Sequence, residues 1–297
     1  MTATTGCVVL ESRGVLAVTG EDRTAFLQGL VSNDMRAVAP DRAVYSLFLT
    51  PQGKYQHDFM VAADGEALLL DVEAARRDDL LRRLKLYKLR SRIALEDRSD
   101  RLSVVALIGP EALDRLDLPA EPGAAVPFAG GLAFTDPRRA ALGARAIVPA
   151  GTDLAAHGFP SLPFAAWDSL RLELGVPDGS RDLEVEKAIP LENNLDALNA
   201  ISWDKGCYMG QELTARTRYR ALIKKRLVPV TVSGPLPAPG TPVLAGEREI
   251  GEVRSGLDTR ALAMLRLEDL ERAAEEQTMF RAGEATLSPG KPLSESS

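Results

Sequence analysis

The stretch Lys205-Gly206-Cys207-Tyr208-Met209-Gly210-Gln211-Glu212 packs a thiol, a lysine, two glycines and a carboxylate into one short, turn-like segment. The thiolate is the form of cysteine that attacks electrophiles and binds soft metals, and a cation at Lys205 or among the arginines that follow would favour it at Cys207. Glycine on either side lets backbone approach a ligand closely. A single thiolate cannot hold an iron-sulfur cluster, so a cluster bound at Cys207 would be shared with ligands from another chain. The plain alternative is a buried cysteine acting as a small apolar filler. That alternative leaves the flanking glycines and polar residues without a reason.

Directly after the motif, Thr214-Ala215-Arg216-Thr217-Arg218-Tyr219-Arg220 sets arginines at alternate positions. On an extended strand Arg216, Arg218 and Arg220 would share one face. Guanidinium forks in a row suit the carboxylates of an anionic ligand, and Lys224, Lys225 and Arg226 prolong the positive charge. A charged edge strand that discourages aggregation accounts for the same alternation. A tRNA-modification factor using the arginines on nucleic acid is a further reading. It ranks last, because stacking aromatics are scarce and Tyr219 would point away from the arginines.

These residues need a scaffold, and 297 residues at 45% hydrophobic and 26% charged can bury one large core or several smaller ones. No apolar run approaches the roughly 18 residues of a membrane span. The start, Met1 to Leu10, lacks the basic and long apolar parts of a secretory signal, so a cytoplasmic location is expected. Cys7 and Cys207 are too few and too far apart for a disulfide framework. His57 and His157 form no spaced zinc motif. A net charge of −6 argues against general nucleic-acid binding.

Gly14 to Gly20 reads as a buried strand closed by a turn, followed by a helix from Glu21 to Leu30. Leu102 to Ile108, Gly109-Pro110 and Glu111 to Leu118 repeat that order, which suggests an internal duplication. Val44 to Leu49 and His57 to Ala62 form a hairpin across Thr50-Pro51-Gln52-Gly53. Ala74 to Leu89 and Pro163 to Leu174 have helical spacing, the first with a strongly basic face. Leu227 to Val232, Glu249 to Arg254 and Ala261 to Leu267 read as strands of a small antiparallel barrel. From Ser288 onward the composition is that of a disordered tail.

Pro190-Leu191-Glu192-Asn193-Asn194-Leu195, followed by the Cys207 motif and Leu213-Thr214-Ala215-Arg216, resembles the signature of the YgfZ-type proteins, which are similar in fold to the glycine-cleavage T-protein (GcvT). Phe26-Leu27-Gln28-Gly29 with Asn33-Asp34, the Thr50 to Gly53 turn, Tyr87-Lys88-Leu89-Arg90-Ser91 and Ile250-Gly251-Glu252-Val253 extend the resemblance over residues 8 to 270. It implies an α+β fold, a ring of two interleaved halves plus a C-terminal antiparallel β-barrel. The division expected is a folate-binding region, 1–225, with halves of roughly 1–45 plus 120–225 and 46–119; a barrel, 226–285; and a tail, 286–297.

The resemblance further implies tetrahydrofolate as ligand, with Glu192 at the pteridine, and Cys207 as the functional thiol and a shared ligand of a transient iron-sulfur cluster. Lys205, Gly206, Tyr208, Gly210, Gln211, Glu212, Arg216 and Arg218 are the further binding candidates. Partners implied are A-type iron-sulfur carriers and client enzymes, with no membrane. T-proteins carry an arginine where Trp167 stands, and their Asn-Ala-Asn stretch is replaced near Leu70-Asp71-Val72-Glu73. An assembly factor is therefore expected rather than a tetrahydrofolate-dependent aminomethyltransferase.

Overall fold

The computed structural model describes residues 4–219, 223–276 and 278–293. In chain order its elements begin with β1 (Gly6–Val9), β2 (Arg13–Thr19), α1 (Arg23–Gln28), β3 (Val44–Leu49), β4 (Tyr55–Asp64), β5 (Ala67–Glu73), α2 (Arg77–Lys88) and β6 (Ala94–Asp97). They continue with β7 (Leu102–Ile108), β8 (Ala125–Phe128), β9 (Gly131–Thr135), β10 (Ala144–Pro149), α3 (Phe164–Glu173) and α4 (Gln211–Tyr219). Last come β11 (Lys225–Ser233), β12 (Pro242–Ala245), β13 (Arg248–Leu257), β14 (Arg260–Arg266), α5 (Leu267–Glu276), β15 (Phe280–Ala282) and β16 (Ala285–Pro289). Among the described residues no helix is long and apolar enough to cross a membrane.

The first ten strands make two five-stranded sheets, ordered β3-β4-β5-β2-β6 and β1-β7-β10-β9-β8. In each, one strand is followed by a three-stranded meander whose last member returns beside it. Each sheet then takes its edge from the segment leading into the other. β1, which precedes β2, pairs antiparallel with β7, and β6, which precedes β7, pairs antiparallel with β2. The repeat expected from the two strand-Gly-helix segments is thus a repeated sheet topology. After Gly109, however, only a 3-10 turn, Asp114–Leu116, forms in place of the expected helix.

The expected halves, 1–45 plus 120–225 and 46–119, do not follow these sheets, because β2 pairs with β5 and β7 with β10, each a strand of the other expected half. Two compact units are present, one of Met1–Leu49, Gln56–Trp167 and Asn199–Met209, the other of Thr50–Tyr55, Asp168–Leu198 and Gly210–Ser297. The first unit holds both sheets. Its strands are apolar runs buried on both faces, as in Val15 to Val18, and α2 covers one sheet with Leu80 and Leu84, one helical turn apart.

In the second unit β11-β14-β13-β12-β15-β16 close into a barrel. Inward alternation fills it, with Val228, Val230 and Val232 from β11 meeting Ile250, Val253 and Leu287. The expected tail is corrected here: Thr286 to Pro289 belong to β16, which pairs with both β11 and β15. A barrel without that strand would leave two edges open. The fully buried Arg171 ties α3 to the barrel, donating to Asp168 Oδ1 (2.6 Å), Asp182 Oδ2 (2.8 Å) and Ser255 Oγ (2.7 Å). Breaking such a buried, fully paired cation is far costlier than its net contribution to stability.

In the first unit, His57 is buried against Asp79, Nε2 to Oδ2 3.0 Å. Burial, with Arg76 next in effect, lowers its pKa from 6.5 to about 4. Between those values the unfolded chain binds a proton that the folded chain refuses, so stability is present above pH 6.5 and is lost as the pH falls toward 4. Urea denaturation across that window should show a loss of about 2–3 kcal/mol that His57→Gln flattens. An unchanged slope in the variant would show that another group titrates there.

Candidate functional site

The Cys207 motif is held by Lys205. This side chain is buried, and its Nζ donates to three backbone carbonyls, Gln28 (2.9 Å), Val31 (2.6 Å) and Asn33 (2.7 Å). Gln28 ends α1, so the ammonium caps one carbonyl that the helix terminus leaves without a partner, and two more in the segment that follows. Three acceptors match the three N–H groups of the charged form. Burial pulls the Lys205 pKa down to about 8 against the opposing charge of Asp34. The same segment is sewn down further: Ser32 Oγ donates to the Ala200 carbonyl (2.6 Å), Asn33 Nδ2 to that of Asn199 (2.8 Å), and the Ser202 amide to that of Ser32 (3.1 Å).

Lys205 was expected beside the thiol, and the structure commits its ammonium elsewhere, to these carbonyls and to the face of Tyr208, 5.2 Å from the ring centroid. Tyr208 is itself buried. Between these two anchors Cys207 is an exposed free thiol. Gly206 is exposed too, and a Cβ there would meet nothing within 4 Å. The filler reading therefore fails for Cys207. It holds for Cys7, which is buried, donates to the Phe159 carbonyl (3.2 Å) and has its pKa raised by burial.

Gly210 has a different role. Its φ is +83°, and a Cβ would lie 2.6 Å from the Thr50 carbonyl and 2.9 Å from Gly53 Cα. The second motif glycine thus packs backbone to backbone against the Thr50 to Gly53 turn. From Gln211 the chain is helical, which corrects the expected arginine strand. Two residues apart on a helix lie on opposite sides, so Arg216 and Arg218 share no face. Arg216 instead pairs with Glu212 one turn back (2.9 Å). Thr214 and Thr217 hydroxyls bond carbonyls four residues earlier, at Gly210 (3.0 Å) and Leu213 (2.8 Å). Gln211 opens this helix, half-buried. Arg220 lies outside the described residues.

In the second unit, Pro190–Asn193 is a 3-10 turn closed by Asn194 at φ 60°. Asn193 Nδ2 donates to the Ile189 carbonyl (2.9 Å) and Asn194 Nδ2 to that of Leu227 (2.7 Å). Arg226 Nη1 donates to the Leu191 carbonyl (2.6 Å) and to Asp196 Oδ1 (3.0 Å). Glu192 is the exception: among the described residues no donor reaches its half-buried carboxylate. Burial raises its pKa, opposed by the charges of Lys225, Lys54 and Arg226. Lys54, whose charge acts on that carboxylate, is not among the expected residues; its one signal in the sequence is its place at the end of the Thr50 to Gly53 turn.

The two departures from the T-protein pattern are structural in the first unit. Trp167 is buried, with the guanidinium carbons of Arg145 and Arg138 at 5.0 and 5.7 Å from its ring centroid. Asp71 is buried between Arg13 Nε (2.6 Å) and Arg145 Nη1 (3.3 Å).

Residues 4–128 match the GCVT N-terminal domain and residues 224–294 the CAF17 C-terminal beta-barrel domain. The chain is 34% identical over 290 residues to iron-sulfur cluster assembly factor IBA57, mitochondrial, from Homo sapiens, spanning 87% of this chain and 77% of that protein. Its Mus musculus counterpart is 32% identical over 296 residues, spanning 89% and 78%. Among solved structures, the glycine cleavage system aminomethyltransferase T from Bartonella henselae aligns with a TM-score of 0.73 at 17% identity, over 99% of this chain and 87% of that one. This likeness shows the GcvT-like α+β fold. The cytoplasmic expectation is corrected by the relatives' names: the human, mouse and Neurospora crassa proteins are all mitochondrial.

Iodoacetamide should modify Cys207 and spare Cys7 in the native protein, as peptide mass mapping would report. Lys205→Met should cost about 2–3 kcal/mol, since it strips one buried and two part-buried carbonyls of their donor. A melting temperature unchanged by Lys205→Met would refute the clamp.

Proposed function

We propose, from the premise that the chain belongs to the IBA57 family of iron-sulfur cluster assembly factors, that Cys207 is the thiol through which it takes part in building or repairing clusters on client enzymes. The observation that carries this reading is the exposure of Cys207 between two buried neighbours, Lys205 and Tyr208. A thiol meant to fill space would sit inside, as Cys7 does. As the second cysteine is buried, a cluster met at Cys207 takes its remaining ligands from a partner, for which an A-type iron-sulfur carrier is the proposed candidate. The cluster is then cargo held across two chains.

Tetrahydrofolate is the proposed ligand of the second unit. Glu192 fits it: a half-buried carboxylate whose raised pKa has burial as its main cause has open acceptor positions for the paired N–H donors of a pterin. Lys54 and Lys225, whose charges act on the same carboxylate, would favour an anionic tail. Aminomethyl transfer is the weaker reading, since Trp167 serves as a buried platform for arginines where that chemistry's arginine is expected.

Mixing the protein with an A-type carrier, ferrous iron and a sulfide source should raise cluster yield, read by visible circular dichroism. Cys207→Ser should abolish the increase with no change in melting temperature. Full activity of the serine variant would overturn the role of the thiol. Glu192→Gln should weaken tetrahydrofolate binding about tenfold or more in calorimetry, because one charge-assisted acceptor is lost. Equal affinity would remove Glu192 from the folate site.

A further inference from the structure

We propose that the C-terminal end of α2, from Lys85 to Arg90, is the docking surface on which a protein partner with an acidic rim and an apolar contact face settles to reach Cys207. The inference rests on the reading of Cys207 as a ligand shared with a partner.

Three large apolar side chains protrude within four residues there: Leu86 is 66% exposed, Tyr87 41% and Leu89 87%. Isolated exposed apolar residues are ordinary, whereas a cluster marks an interaction site. Lys85, Lys88 and Arg90 interleave with them, and among the described residues no carboxylate lies within ion-pair distance of these cations. On the same helix Arg83 pairs with Asp79 at 2.7 Å, and Arg82 pairs with it too. The end of α2 is therefore a field of uncompensated positive charge around an apolar centre, and the surface complementary to it is acidic at the rim and apolar within.

The backbone favours the display. Leu89 sits at φ 43°, ψ −111°, a region in which a leucine is strained, and the result is the most exposed large apolar side chain of the group. A shallow depression of about 680 Å³ beside it is lined by Asp22, Leu89, Arg90 and Ser91.

The surface adjoins the motif within the first unit. Tyr87 stands edge-on to Phe48, ring centroids 6.0 Å apart, and its hydroxyl donates to Met209 Sδ at 3.4 Å. Met209 is two residues from Cys207. A partner seated on Leu86 and Leu89 is thus brought to the segment that carries the thiol. A lipid surface is a poorer fit, because the apolar stripe of α2, Leu80 and Leu84, is locked into the core and only the last turn is free. A nucleic acid is poorer still, since the one aromatic in the patch is already held by Phe48 and Met209.

The test is calorimetric titration of the full chain with an apo A-type carrier, for the wild type, Cys207→Ser, Lys85→Glu/Lys88→Glu/Arg90→Glu and Leu86→Ser/Leu89→Gly, each checked for an unchanged fold by circular dichroism. The expected result is binding by the wild type and by Cys207→Ser, with affinity lowered roughly 30-fold by charge reversal, on the order of threefold per rim charge, and lowered also by the apolar double variant. Wild-type binding should weaken as salt rises from about 50 to about 500 mM. Undiminished binding by both patch variants overturns the docking surface and leaves the Cys207 reading standing. A carrier that neither binds nor yields Cys207-dependent cluster overturns that reading and this inference with it. Patch variants that keep the carrier but lose anionic phosphatidylserine vesicles or single-stranded RNA also overturn it, in favour of those surfaces.

Discussion

A single buried ammonium decides where the Cys207 thiol can be. Lys205 reaches across 172 or more residues of sequence to the carbonyls of Gln28, Val31 and Asn33, the first at the end of α1 and the others in the segment that follows it. Neither side can be satisfied alone inside the protein: the carbonyls lack donors and the ammonium lacks water. Joined, they fix the entry into the motif to the first sheet's layer. This also explains why Phe26 to Asp34 and Lys205 to Glu212, which look like separate signatures in the sequence, belong together. Phe26 and Leu27 fill the core above which the clamp forms, and Gln28, Asn33 and their neighbours supply its acceptors.

The clamp sits on a scaffold whose two sheets cannot be cut apart in sequence. Because β1 completes the second sheet and β6 the first, neither sheet retains all its strands unless the chain between them is intact. Exchange of edge strands also covers the unpaired N–H and C=O groups of β2 and β7, which would otherwise template aggregation. The barrel solves the same problem by closure. There the demand for a last strand overrides composition, and a Ser- and Pro-containing segment becomes β16 because two neighbours wait for it.

What was legible in the sequence follows from this. The Thr50 to Gly53 hairpin, α3 and the strands of the barrel announce themselves by Gly and Pro punctuation or by clean periodicity, and the match of Lys205 to Glu212 to a known signature singles out the segment that carries the exposed Cys207. The errors have local causes. Arginines at alternate positions imitate a strand, but Glu212 and Arg216 at helical spacing, with threonines bonding back along the chain, make α4. In β16 the alternation of buried Ala285 and Leu287 around Thr286 was present and was outweighed by the polar residues beyond. The pairing of β2 with β5 and of β7 with β10 leaves no local mark, since apolar strands look alike whichever sheet they join. Lys205 had the right prominence and the wrong partner, because nothing in a sequence says whether a lysine faces a thiol or a helix end.

The two kinds of glycine in the motif show how rigidity and access are divided between adjacent residues. Gly210 is required by the protein itself, for its positive φ and for the backbone it touches. Gly206 is exposed and a Cβ there would meet nothing within 4 Å, so packing does not require it. The proposed sharing of a metal by Cys207 asks that the thiol be held still, since each misplacement weakens every bond the partner contributes, and that it be open, since the partner's ligands arrive from outside. A mobile loop would supply access without position, and a core site the reverse. Setting one exposed residue between a buried ammonium and a buried ring, both anchored to the same layer, meets the two demands within four consecutive residues.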